Sequence, residues 1–415
     1  MQEPTPSSSA PRTLIIILIA VTSLSQFFRS VVGPIGPEIA SDLGLTSQQL
    51  AFANTTFFGA LLALQIPVGI AFDRYGPVRV TATLTGVAAL GSAICGFSDR
   101  FEIFLLGRLL IGAGMAAAFM SVIVVLSDRL PSRALAYAMA QVFALSNIGT
   151  LVASKPAAYL TEAAGWRFVH LVAAFVALII TVIALYIARG EKNQGKTEPF
   201  VTLFSGIWRA IKLPGLPAVA PLLAITYPAL ITMLGLWAGA FLSDVHQLSL
   251  ENRGNAQLAM VIAQITGIYT FGFLDRWSNR RRLLASIGGF CGGFSLCGIV
   301  IFGNSAPLSI GFLVLFCFFA SYNVLLLSHA RSLVPDELAG RGITTINLIP
   351  GVGSSLLPII TGLVITLTAQ IGFSAANQYN SVFLLLAVLF VGAAALFLRP
   401  AVSSPAAPNP KKPKL

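Results

Sequence analysis

Three basic residues, Arg29, Arg108 and Lys155, stand inside long apolar stretches of this 415-residue chain, each in a different stretch. A cation in hydrocarbon costs several kcal/mol unless it faces a polar interior or an anion. No acid lies deep in any apolar run to pair with them. Glu38 is the nearest acid to Arg29, yet nine residues of helix turn through about 900°, which puts it on the opposite face. Uncompensated cations around a water-accessible hollow would attract an anion. For Lys155 there is a second reading, in which its long stem lets the ammonium snorkel to the headgroups.

Other polar residues inside the runs are Asn54, Gln65, Gln141, Asn147, Tyr227, Gln264, Tyr322, Asn323, His329 and Asn347. Hydrogen bonding between helices is the ordinary role of such groups. His329 has a further option, since imidazole exchanges a proton near neutral pH. Enzyme chemistry is not expected. His170, His246 and His329 fall on separate segments, and no metal or nucleophile constellation appears. Cys95, Cys291, Cys297 and Cys317 all sit in apolar runs and form neither a disulfide framework nor a zinc spacing. No metal and no cofactor are implied.

A charged turn separates two of the runs: GIAFDRYGPVR, Gly69 to Arg79. Asp73, Arg74 and Arg79 recur as Asp275, Arg276 and Arg281, 202 positions on, and Asp42 recurs as Asp244 at the same offset. Pro131 and Gly149 find counterparts in Pro335 and Gly353, offset by 204. Matches at nearly one offset, in the same places relative to the apolar runs, indicate an internal repeat of about half the chain, as in repeat-built transporters.

The elements that must position these residues follow from composition. The chain is 56% hydrophobic and only 10% charged. Soluble domains carry roughly a quarter charged residues, so this is a membrane protein. A spanning helix needs about 20 apolar residues. Breaking the sequence at its charged and Gly/Pro-rich points yields twelve runs. Six cover 13–38, 48–71, 80–97, 102–125, 134–160 and 167–188. Six more cover 218–243, 253–273, 283–303, 308–330, 341–371 and 380–398. The expected class is therefore an all-α membrane protein of twelve helices in two pseudo-symmetric six-helix bundles, 13–188 and 218–398. A polar tail (1–12), a linker (189–217) and a second tail (399–415) complete the chain. Part of the linker, VTLFSGIWRAIKLP, mixes apolar and basic residues and suits the membrane surface. With the N-terminus inside, 20 of the 26 lysines and arginines fall on inner segments, and only Arg100, Arg167 and Arg253 on outer loops. That bias places both termini in the cytoplasm. It also accounts for the net charge of +11, which is a topology signal rather than a nucleic-acid footprint.

Six plus six helices, a central linker and the loop with Gly69, Asp73, Arg74, Gly76 and Arg79 resemble the major facilitator superfamily of transporters. A second signature lies in GRLLIGAGMAA, with Arg108, Gly112 and Gly114. The second loop copy, FLDRWSNRRR, keeps Asp275, Arg276 and Arg281 but lacks the glycines. The resemblance implies secondary transport by alternating access, with Asp73 latching the cytoplasmic side. It implies that Arg108 orders helices through backbone carbonyls or contacts substrate. It also implies that the first and tenth helices line the cavity, which raises Arg29, Tyr322 and Asn323 as substrate-binding candidates. The stretch GTLVASKPAAYL has Lys155 where proton-driven exporters of the family carry a Gly-Pro pair. The expected cargo is therefore a small organic anion, and the alternative is a proton-driven drug exporter. Expected partners are that solute, a coupling proton or cation, and the bilayer of a bacterial inner membrane, with the chain acting as a monomer.

Overall fold

A computed structural model describes residues 12–130, 132–189, 215–278, 280–333 and 339–398. The tails, most of the linker and its amphipathic stretch, Pro131, Pro335 and the Arg276 side chain lie outside the described residues.

Twelve helical spans are present among the described residues. In the first half, α1 comprises Arg12–Ser30 and Val32–Leu43, and α2 comprises Ser47–Ala63 and Gln65–Tyr75. Next come α3 (Pro77–Gly96) and α4 (Phe101–Met115 and Ala118–Ser127). The half closes with α5 (Ser132–Val152 and Lys155–Ala164) and α6 (Trp166–Ala188). In the second half, α7 joins Leu216–Thr232 to Ala238–Asp244 through a π-helical turn, Met233–Trp237. It is followed by α8 (Leu250–Ser278), α9 (Arg281–Phe302) and α10 (Ala306–Ala320 and Asn323–Ser332). The last two are α11 (Ala339–Gln370) and α12 (Ala375–Leu398). Ten of these helices are long and apolar enough to cross a bilayer, and eleven if α2, bent by 42°, counts as one span. Large apolar side chains such as Phe175, Val182 and Tyr186 on α6 point outward, where only lipid can cover them favourably.

The two halves pack alike. In the first, α1 lies on α5, α2 on α4, and α3 on both α4 and α6. In the second, α7 lies on α11, α8 on α10, and α9 on both α10 and α12. The repeated glycines explain part of this match. A Cβ on Gly149 would collide with the Ser23 carbonyl oxygen, and one on Gly353 with the Ala224 carbonyl oxygen. So α5 approaches α1, and α11 approaches α7, closely enough that only glycine fits. The aspartates at offset 202 also do equivalent work. Asp42 accepts from Trp166 Nε1 and pairs with Arg167, tying the end of α1 to the start of α6. Asp244 accepts from the Tyr379 hydroxyl at 2.6 Å, tying the end of α7 to α12.

The backbone breaks are concentrated in the inner spans. They occur at Val31 in α1, Leu64 in α2, Ala116–Ala117 in α4, Ala153–Ser154 in α5, the π-turn of α7 and Ser321–Tyr322 in α10. Such breaks are tolerated at membrane depth only where protein or a water-filled hollow surrounds them. The peripheral spans α3, α6, α9 and α12 run unbroken.

Gly149→Val and Gly353→Val should each lower stability by about 1–3 kcal/mol, read as thermal unfolding in detergent. Gly392→Ala, where a Cβ meets nothing within 4 Å, should be nearly neutral.

Candidate functional site

The end of the bundle that carries Arg12 and Leu398 is the proximal end, and the opposite one is the distal end. The α1 span runs on to Leu43, five residues beyond the apolar run, so Arg29 stands near the middle of the span. Its side chain is buried. Nε donates to Ser25 Oγ at 3.4 Å and Nη1 to the Tyr227 hydroxyl at 3.5 Å, both at the long limit of hydrogen bonding. Tyr227 belongs to α7, so this contact crosses between the halves. The guanidinium carbon lies 5.7 Å from the Phe58 ring centroid and 5.4 Å from that of Phe119. None of the ion pairs seen among the described residues involves Arg29.

Arg108 sits beside it in a different role. Its Nη1 donates to the Phe28 carbonyl at 3.2 Å and its Nη2 to Asn54 Oδ1 at 2.9 Å, with the guanidinium 4.5 Å above Phe57. This fully buried strut from α4 grips α2 and the peptide next to Arg29. Gly235 of α7 meets the Arg29 carbonyl oxygen from the other half. The backbone under Arg29 is thereby held from two directions.

The remaining candidates do not join it. Lys155 is exposed and opens the second segment of α5, with its Cα packed where Gly254 of α8 leaves room. Tyr322 is fully buried inside the second half. Its hydroxyl shares a 2.7 Å hydrogen bond with Thr226 Oγ1, and its ring fills the space left by Gly288 of α9. Asn323 is half-buried at the break in α10. His329 lies at the proximal end of α10, against the Phe397 ring, and lines a cavity of about 400 Å³ with Arg280, Arg281 and Arg282.

An interaction that sequence reasoning missed lies toward the distal end. Glu38 Oε1 of α1 pairs with Arg253 Nη2 of α8. Arg253, expected in an outer loop, is instead inside α8 with a side chain only 3% exposed, and Glu38 is 29% exposed. The acid near Arg29 in sequence thus serves a cation 215 residues away, in the other half. Around this pair the halves meet repeatedly. A Cβ on Gly239 of α7 would collide with the Gly33 carbonyl oxygen of α1, and Gly254 faces Ala158 of α5. Gly362 of α11 abuts Ala51 of α2, and Thr366 Oγ1 lies 3.5 Å from Gln48 Oε1.

The charged turns occupy the proximal end. Gly76 joins α2 to α3 alone, at φ 86° and ψ 142°, a conformation that favours glycine. Asp73, with Arg74 stacked on Tyr75, closes α2, and Arg79 lies in the first turn of α3. Gly69 faces open space. In the second copy Arg281 Nε donates to both Asp275 oxygens, at 2.8 and 3.0 Å, within the α8–α9 turn.

Residues 18–358 match the family model of the Major Facilitator Superfamily. The chain belongs to that superfamily. Over 91% of its length this transporter is 23% identical to the probable galactarate/D-glucarate transporter GudP of Escherichia coli, covering 91% of that protein. Over 41% of its length it is 22% identical to the 4-hydroxybenzoate transporter PcaK of Acinetobacter baylyi, covering 37% of it. A crystal structure of a bacterial homolog of the human lysosomal transporter Spinster, inward-facing and occupied, superposes with a TM-score of 0.74 at 16% identity. It covers 94% of this chain and 97% of that one. The family and these relatives are transporters.

In this transporter the Glu38–Arg253 pair bridges the halves. Taking away one member of a buried ion pair costs about 3–5 kcal/mol, because the other charge is left uncompensated. Glu38→Gln should therefore loosen the distal contact. The expected readout is reduced disulfide cross-linking between Gln48→Cys and Thr366→Cys, while cross-linking within one half stays unchanged.

Proposed function

We propose that this member of the superfamily is a secondary transporter that carries a small organic anion by alternating access, with Arg29 as its anion-binding group. The observation that carries the reading is a buried guanidinium near the middle of its span, between the halves, with aromatic and hydroxyl neighbours but no carboxylate among the described residues. A cation so placed is stabilised by an arriving anion. The relatives support this: galactarate, glucarate and 4-hydroxybenzoate are all carboxylates.

The bias of basic residues assigns the proximal end to the cytoplasm and both termini with it. In that orientation Glu38–Arg253, α2 against α11 and α5 against α8 close the outer side. The bundles, 13–188 and 218–398, would rock about Arg29 and Tyr227, the linker 189–217 allowing the movement. The turns holding Asp73–Arg79 and Asp275–Arg281 are then placed to latch the cytoplasmic side in the opposite state. Helix ends carry partial charge that such carboxylates and guanidiniums complement. Arg108 acts by fixing α1, and Lys155 lies at the distal level of Glu38.

In proteoliposomes, Arg29→Ala should reduce uptake of 4-hydroxybenzoate or D-glucarate by roughly 10–100-fold, the worth of a hydrogen bond to a charged group. Lys155→Ala should retain binding. Undiminished uptake of both acids by Arg29→Ala would sink the assignment. Asp73→Asn should slow turnover while leaving the dissociation constant unchanged, measured by pairing transport with equilibrium binding.

A further inference from the structure

Which carboxylate the site accepts can be narrowed from what surrounds Arg29, on the premise that the anion reading above holds. A guanidinium has five N–H donors. Ser25 and Tyr227 accept from two of them at long range. At least three donors are left to meet a ligand in the guanidinium plane, the geometry of a bidentate carboxylate.

Next to those donors the walls are aromatic. Phe58 from α2 and Phe119 from α4 face the guanidinium carbon. The Phe119 ring lies 5.7 Å from that of Phe143 on α5. Phe58 and Phe119 thus present ring faces to the cation, Tyr227 from α7 presents its hydroxyl, and Phe143 backs the Phe119 ring. A group attached to the bound carboxylate must therefore lie among ring faces and edges. A flat, conjugated group continues the carboxylate plane and packs against them, with the offset or edge-on contacts that aromatic pairs prefer.

Charge and hydroxyl content restrict the choice further. One uncompensated cation at this depth matches one carboxylate. Arg108 is committed to Phe28 and Asn54, Arg253 to Glu38, and Lys155 stands at the distal level. A second carboxylate would face phenyl rings without a counter-ion, and a polyhydroxylated chain would trade water for surfaces that cannot replace its hydrogen bonds. We propose that the substrate is a flat aromatic monocarboxylate, with Arg29 binding the carboxylate and Phe58, Phe119 and Tyr227 selecting the ring.

The test uses the full chain in lipid nanodiscs, with equilibrium binding of benzoate, 4-hydroxybenzoate, cyclohexanecarboxylate, D-glucarate and benzamide. The aromatic acids should bind about tenfold or more tighter than cyclohexanecarboxylate, which has the same charge and a puckered ring, and tighter than glucarate. Benzamide, flat but neutral, should not compete. Phe119→Leu should shrink the preference for benzoate over cyclohexanecarboxylate and leave the affinity for the latter within about twofold. A merely structural role for Phe119 would weaken both acids alike. Arg29-dependent binding of glucarate ahead of benzoate would overturn the aromatic assignment and leave the anion reading standing. Binding of none of the acids, or of benzamide as well as benzoate, would overturn both.

Discussion

A guanidinium near the middle of a spanning helix cannot be solvated by lipid, and the arrangement around α1 follows from that requirement. Hydrocarbon supplies no acceptors, so the groups near Arg29 must come from protein: Ser25 one turn back, Tyr227 across the interface, and two phenyl rings. These are weak partners for a full charge. Among the described residues no carboxylate completes the charge, and on that the proposed anion site rests.

Holding such a group steady depends on the backbone beneath it. Arg108 reaches from α4 to the Phe28 carbonyl, and Gly235 lets α7 close on the Arg29 carbonyl. The same principle recurs through the duplicated halves. Gly149 and Gly353 permit contacts between helices that any larger residue would block. In a membrane, where apolar surface gains little by leaving lipid for protein, close packing and a few polar contacts must hold helices together.

The contacts made by carboxylates divide by level. Asp42 with Arg167 and Asp244 with Tyr379 tie spans together inside each half near the distal rim. Glu38 with Arg253 ties the two halves to each other. Asp275 with Arg281 braces the α8–α9 turn at the opposite end. In the proposed rocking movement, contacts within a half persist, whereas a contact between halves must break. Arg253, the buried member of the pair between halves, would be left uncompensated if that contact broke.

Much of the architecture was legible from residue order. Apolar run length, the repeat offset and the turn signals around Asp73 and Asp275 required no coordinates, because a bilayer forces length and polarity into the sequence. Composition also singled out Arg29, Arg108 and Lys155, since charge in a spanning run is costly wherever it falls. Their separate fates were not readable: the three look alike along the chain, and only packing decided that one is a strut, one lies exposed and one faces the interface. Tyr322 shows the same limit. Its place midway along α10 suggested the cavity, but Gly288 and Gly289 on α9 make room for it inside the second half. Charges mark loop boundaries in sequence, which points Arg253 to a loop, whereas an acid from the other half lets it sit within a helix. Periodicity is a local property of the chain; the identity of a charge's partner depends on which surfaces the folded halves bring together.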